Sequence, residues 1–210
     1  MPFPSLVLAS GSPRRRELLT EAGYPFRVIA PEEDVECGIC SETSPAGLVA
    51  DLAFRKAANV VRRISELPPA ANVEKASRPS DADSAEIVVG ADTVAECGGM
   101  ILGKPRDETH ARAMLLQLSG REHRVLTGVC VWRLGDPQPL VRVAVTKLRM
   151  DALSDAQLDE YLASGAWDGK AGAFGYQDRL GWVHIIDGSE SNVVGLPIEL
   201  LAQMLTDIGS

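Results

Sequence analysis

The sequence has no apolar run approaching the ~20 residues of a membrane span, and residues 1–5 lack the basic and apolar blocks of a signal peptide. Neither a membrane partner nor export is expected, and a cytoplasmic protein is. Positive charge is also short: 21 Lys and Arg stand against 29 Asp and Glu, for a net charge of -8. A general polyanion-binding surface is thereby excluded, so nucleic acid is not an expected partner. Any local cluster of cations gains meaning. Cysteines number four. Cys37 and Cys40 form one C-x-x-C, the spacing of half a zinc site or of a redox pair, but no second pair at metal spacing follows, so a functional role is the lesser expectation and their role is left open. Cys97 and Cys130 lie in apolar, strand-like surroundings and read as core. No internal repeat is present.

What is there suits a globular chain with a sizeable core: 210 residues, 45% hydrophobic and 24% charged. One domain spanning residues 1–210 is expected. Strand signals at residues 5–10, 26–30, 86–91, 125–133, 140–150 and 182–187 alternate with helical patterns, a mixture that is α/β or α+β. Apolar residues recur with the 3.6-residue period after Ser12, at Leu18, Leu19 and Ala22, and from about 45 to 66, at Leu48, Leu52, Val60 and Ile64. A third helix is expected over about 107–118 with Ala111, Met114, Leu115 and Leu118 inward. Ser154 to Gln157 is a capping box that opens a fourth, and the last helix starts at Pro197 and precedes Gly209. Residues 67–85, polar, proline-bearing and without periodicity, read as an exposed mobile loop.

Three arginines open the first helix. In "LASGSPRRRELL", Ser12 reads as the N-cap and Pro13 as the first helical residue. Arg14, Arg15 and Arg16 then face the positive end of the helix dipole, each at a cost of about 0.3–1 kcal/mol. An anion of several charges at the helix start would offset that cost, with Gly11 allowing the tight turn; the alternative is a solvated basic face. In "IVVGADTV", an apolar strand ends at Asp92 and Thr93. A carboxylate there suits a divalent metal or the deprotonation of a water, or else caps a turn. "GGMILGKP" contains Gly98-x-x-x-x-Gly103-Lys104, but Pro105 supplies no hydroxyl and forbids the helix, so a P-loop is rejected. Lys104, extended beside a hairpin, still reaches a phosphate as a point charge. The loop "SGAWDGKAGAFGYQ" offers Lys170 and Gln177, whose amide suits the edge of a base. Lys56, taken alone, reads as a snorkelling lysine.

Together "LASGSPRRRELL", "LAFRKAANVV", "VVGADTV", "LGKPRD", "LSGREHRVLTGV", "GKAGAFGYQ" and "NVVGLPIELL" resemble, in order and across nearly the whole chain, the Maf family of nucleoside triphosphate pyrophosphatases. The resemblance implies a Maf/ITPase-like α/β fold, a mixed twisted sheet flanked by helices with two lobes around a central cleft. It also implies hydrolysis of a nucleoside triphosphate to monophosphate and pyrophosphate with a divalent cation, Mg²⁺, Mn²⁺ or Co²⁺. Asp92 matches the family's proton acceptor and a metal ligand. Ser10, Arg14, Arg15, Lys56, Lys104 and Lys170 match the triphosphate pocket, while Arg14, Thr93 and Gln177 match the markers of the dTTP/UTP branch. The expected substrates are dTTP and UTP, modified pyrimidine nucleotides among them. The alternatives are a pyrophosphatase of 7-methyl-GTP or another modified nucleotide, and a nucleotide-binding regulator of cell division with little turnover. From the acidic segment "PEEDVEC", Glu36 is the residue chosen as a second metal ligand. Two departures stand out: Gly165-Ala166 lacks the family's acidic residue, and "GYQDRLGW" replaces the usual "GIQG". Oligomeric state is left open, a homodimer included.

Overall fold

The computed structural model describes residues 5–32, 35, 44–66, 86–178 and 180–209. Glu36, Cys37, Cys40 and the expected loop at 67–85 lie outside the described residues.

β1 (Leu6–Ala9) consists of four buried apolar residues, the pattern of a strand covered on both faces. It pairs in parallel with β2 (Phe26–Val28) on one side and β3 (Ile87–Cys97) on the other. β4 (Met100–Leu102) folds back on β3, and β5 (Glu122–Arg133), β6 (Leu140–Met150) and β7 (Val183–Asp187) continue the sheet antiparallel. The result is a mixed seven-stranded sheet of order β2-β1-β3-β5-β6-β7.

Helices cover both faces. α2 (Pro45–Glu66) lays Ala53, Ala57 and Val60 on Val7, Val88 and Cys130. On the opposite face α1 (Pro13–Glu21) and α6 (Ile198–Gly209) pack Leu19, Leu201 and Met204 over Ile87, Val89 and Val129. Further along that face, α3 (Glu108–Leu118) and α4 (Asp155–Ala163) pack Met114, Leu115, Leu158 and Leu162 over Ala95, Val125 and Leu148. The short α5 (Glu190–Val194) lies between these two apolar groups in the chain. The expected capping box opens α4, and Cys97 and Cys130 are buried free thiols, as core residues should be. Among the described residues no helix is long and apolar enough to cross a membrane.

Two local expectations are corrected. The Ser12 side chain makes no capping hydrogen bond; instead Ser10 Oγ accepts from the Ser12 amide at 3.2 Å and from Arg15 at 3.0 Å. The strand expected over 86–91 runs on to Cys97. Its polar residues do not stop it because β5 pairs with it continuously as far as Glu96 opposite Arg124.

Candidate active site

The site begins as a gap in the sheet. β1 follows β3 only as far as Ala9 opposite Gly90, and β4 joins the same edge of β3 only at Leu102 opposite Ala95. Between them, among the described residues, residues 91–94 have no neighbouring strand on that side. Asp92 therefore stands mid-strand, yet at the carboxyl end of the parallel ladder, where ligands of α/β sheets collect.

Alternation sends Asp92 and Thr93 to opposite faces. On the α2 side, Lys56 Nζ donates to Asp92 Oδ1 at 2.6 Å, with the side chains 6% and 14% exposed. The approach depends on two glycines. A Cβ at Gly90 would lie 2.3 Å from the Ala53 carbonyl oxygen, and one at Gly128 would lie 2.1 Å from that of Val49. The bare backbone lets α2 settle on the sheet and carry Lys56 to Asp92.

On the other side, Arg15 is buried and shared among three acceptors. It donates to the Gly195 carbonyl at 2.8 Å, to Ser10 Oγ at 3.0 Å and to Thr93 Oγ1 at 3.1 Å. These bonds supply protein acceptors for the cation at the helix start. Thr93 Oγ1 also meets Thr127 Oγ1 at 3.0 Å, and Thr127 donates to the Asn192 carbonyl. Arg14, half-buried, donates to the Gly169 carbonyl at 2.8 Å, which ties the helix start to the glycine-rich loop. That loop is joined in turn to the Lys104 segment, since the Gly172 amide donates to the Gly103 carbonyl at 3.0 Å. Gly172 has φ 70°, a conformation that favours glycine.

These elements enclose a cleft of about 900 Å³. Ser10, Arg14, Arg15, Lys56, Asp92, Thr93, Lys104, Lys170 and Gln177 all line it, so residues spread over 168 positions of sequence converge on one space. Five cations and three carboxylates, Glu32, Asp92 and Asp168, line a cleft in a chain of net charge -8. Cations concentrated in this way suit an anion. Lys104 is exposed, and neither it nor Gln177 has a hydrogen-bond partner among the described residues. Both remain available to a ligand.

A profile of the family described as Maf-like protein matches residues 5–208. The chain belongs to the Maf family. A protein of Rhodopirellula baltica named dTTP/UTP pyrophosphatase is 51% identical over 202 residues, covering 96% of this chain and 81% of its own length. Relatives of the same name from Symbiobacterium thermophilum and Sphingopyxis alaskensis are 44% and 41% identical, over 97% and 99% of this chain and 94% and 98% of theirs. Among solved structures, a HAM1 protein from Coxiella burnetii shares the fold, with a TM-score of 0.50 at 13% identity over 98% of this chain and all of that one.

Several residues of the Maf-family cleft carry no signal of their own in the sequence. Glu32 lines it, accepting from Asn59 at 2.6 Å and Arg62 at 3.1 Å. Among four acidic residues within positions 32–36 its register is unreadable. His123 also lines the cleft, 6% exposed. Burial pushes its imidazole below the ordinary histidine range, against a weaker upward pull from the Arg121 carbonyl. Asp178, one residue past Gln177, takes both of its oxygens to Lys170 Nζ, at 2.6 and 2.5 Å. Only the folded loop brings that pair together.

Proposed function

We propose that this chain is a nucleoside triphosphate pyrophosphatase that hydrolyses dTTP and UTP to the monophosphate and pyrophosphate. The observation that carries the reading is the position of Asp92 in a gap of the sheet edge, facing a cleft lined by five cations. The names of the relatives point to the substrates. Residues 1–210 act as one catalytic domain on free nucleotides of the cytoplasm.

Cleavage of the α–β phosphoanhydride bond needs a positioned water, a proton acceptor and neutralisation of the departing pyrophosphate. Asp92 serves as the acceptor. Lys56 holds Oδ1, and Oδ2 has no hydrogen-bond partner among the described residues, so it is free to take the water's proton. Arg14, Arg15 and Lys104 bind the triphosphate from the helix start and the hairpin, and Ser10 and Thr93 orient Arg15. Gln177 reads the base: its amide donates to O4 and accepts from N3–H, a pair that uracil and thymine present and cytosine does not. A divalent cation, Mg²⁺, Mn²⁺ or Co²⁺, fits the donor set. Asp92 and Glu32, which line the same cleft, would hold it, since hard ions take one or two carboxylates together with substrate phosphates. Bound with the triphosphate, it would neutralise charge on the phosphate oxygens.

The test is a hydrolysis panel of UTP, dTTP, CTP and 7-methyl-GTP, run with the wild type and Asp92→Asn. Release of pyrophosphate from UTP and dTTP is expected, with kcat lower by about 10²-fold or more in the folded variant. Preferential hydrolysis of 7-methyl-GTP, or near-normal turnover by Asp92→Asn, refutes the reading.

A further inference from the structure

Lys170, like Lys56 on Asp92, has its charge held by a carboxylate, but here both oxygens engage the ammonium. Its ammonium is buried, with the side chain 11% exposed, and both oxygens of Asp178 lie on it at 2.5 and 2.6 Å. Tyr161 donates its hydroxyl to Asp178 Oδ2 at 2.8 Å. Burial pushes the Tyr161 hydroxyl well above the ordinary tyrosine range, and Asp178 raises it further, so the proton of this bond stays on tyrosine. The tyrosine ring is itself wedged between Phe174 and Trp182, at centroid distances of 6.2 and 5.7 Å. The pair lies directly over Gly175, where a Cβ would come within 2.4 Å of Lys170 Nζ and 2.8 Å of Asp178 Oδ2.

An ammonium has three N–H donors, and Asp178 occupies two. The third remains for the cleft that Lys170 lines. A carboxylate at this distance also cancels the lysine's field, so the pair presents a dipole and not a cation. Lys104, by contrast, is exposed with no partner among the described residues and keeps its full charge. Phe174 and Gln177 of the same loop also line the cleft, an apolar ring and an amide suited to a nucleoside and poorly suited to phosphates.

We propose that Asp178 is a positioning residue that neutralises Lys170 and aims its remaining N–H at an uncharged oxygen acceptor of the nucleoside, a base carbonyl or a sugar hydroxyl, leaving triphosphate binding to the other cations. The assignment rests on the nucleotide reading above and revises the place of Lys170 within it.

The experiment measures binding by calorimetry, independently of turnover, with inorganic tripolyphosphate and uridine 5′-monophosphate as probes. The decisive variant is Lys170→Met/Asp178→Asn, which removes both charges at once and leaves no buried charge unpaired. Its Kd for tripolyphosphate is expected to stay within about threefold of the wild type while that for the monophosphate rises about tenfold, the scale of one lost hydrogen bond. Lys104→Ala should show the reverse. Asp178→Asn alone, where circular dichroism shows it folded, should bind tripolyphosphate more tightly, because it uncovers the ammonium; a merely structural role for Asp178 predicts no such gain. Equal weakening of both probes in the double variant overturns the proposal. So does weakening of tripolyphosphate alone, no change in either probe, or a wild type that binds tripolyphosphate but not the monophosphate. Absence of UTP and dTTP hydrolysis by a wild type showing the expected binding pattern would instead refute the pyrophosphatase reading and leave the Asp178 assignment standing.

Discussion

Gly128 stands directly opposite Asp92 in the β3–β5 ladder, and the missing side chain at one position is what completes the other. The carbonyl of Val49 occupies the space a Cβ would need, so the α2 backbone rests on the strand beside the carboxylate and Lys56 reaches it at 2.6 Å.

Gly128→Ala should therefore damage stability and site together. The clash at 2.1 Å is with backbone, which cannot swing aside. A loss of about 1–3 kcal/mol or more is expected, and each kcal/mol lowers Tm by about 2–4 °C in a chain of this size. Thermal denaturation measures the first effect. The second appears as a fall in kcat in the variant at temperatures where it remains folded.

Lys104 and Arg14 separate binding from stability. Lys104→Ala should leave the stability of the empty protein within about 0.5 kcal/mol and lower kcat/KM for UTP by on the order of 10²-fold, as removal of a charge-stabilising group does. Arg14→Ala loses the bond to Gly169, worth about 0.5–1.5 kcal/mol, but relieves about 0.3–1 kcal/mol of repulsion from the helix dipole. These nearly cancel. Melting curves without nucleotide should therefore be close to wild type for both variants, and nucleotide should raise Tm less in either one.

Gln177→Glu tests recognition of the base. The substitution turns a donor into a second acceptor, so O4 of uracil or thymine meets a carboxylate. Activity on UTP and dTTP should fall by about 10²-fold or more, with the UTP to CTP ratio collapsing. A ratio that persists would place base recognition outside Gln177.

His123 should give the fold an acid-side dependence. Held neutral by burial in the folded chain, the imidazole returns to a pKa of about 6.5 on unfolding. The unfolded state then binds more protons as pH falls below that value. Stability is complete above it and declines toward the lower folded value. Between about pH 7.5 and 5.5, Tm should fall in the wild type and fall less in His123→Leu. Glu86, Glu96 and Glu199 all titrate below the ordinary glutamate value, on the acid side of this window.

Elements with a local physical cause were legible in the chain itself. The 22 residues of α2, the capping box at Ser154 and the inward face of α3 follow from periodicity and side-chain chemistry within one turn or two. The ordered motifs likewise brought Asp92, Thr93, Lys56 and the helix-start arginines into view as candidates. What local pattern does not carry is the partner of each charge. Arg15 and Gly195 lie 180 positions apart and Lys56 and Asp92 lie 36 apart, and neither spacing has a period that helix or strand imposes. The extent of β3 past Asp92 was likewise settled by pairing with β5. The ion pair of Lys170 was settled by a loop that folds Asp178 back upon it. Side-chain periodicity is a property of a single element, whereas the field around an ionised group depends on whatever charge stands within a few ångströms, and only the packed sheet and helices decide what that is.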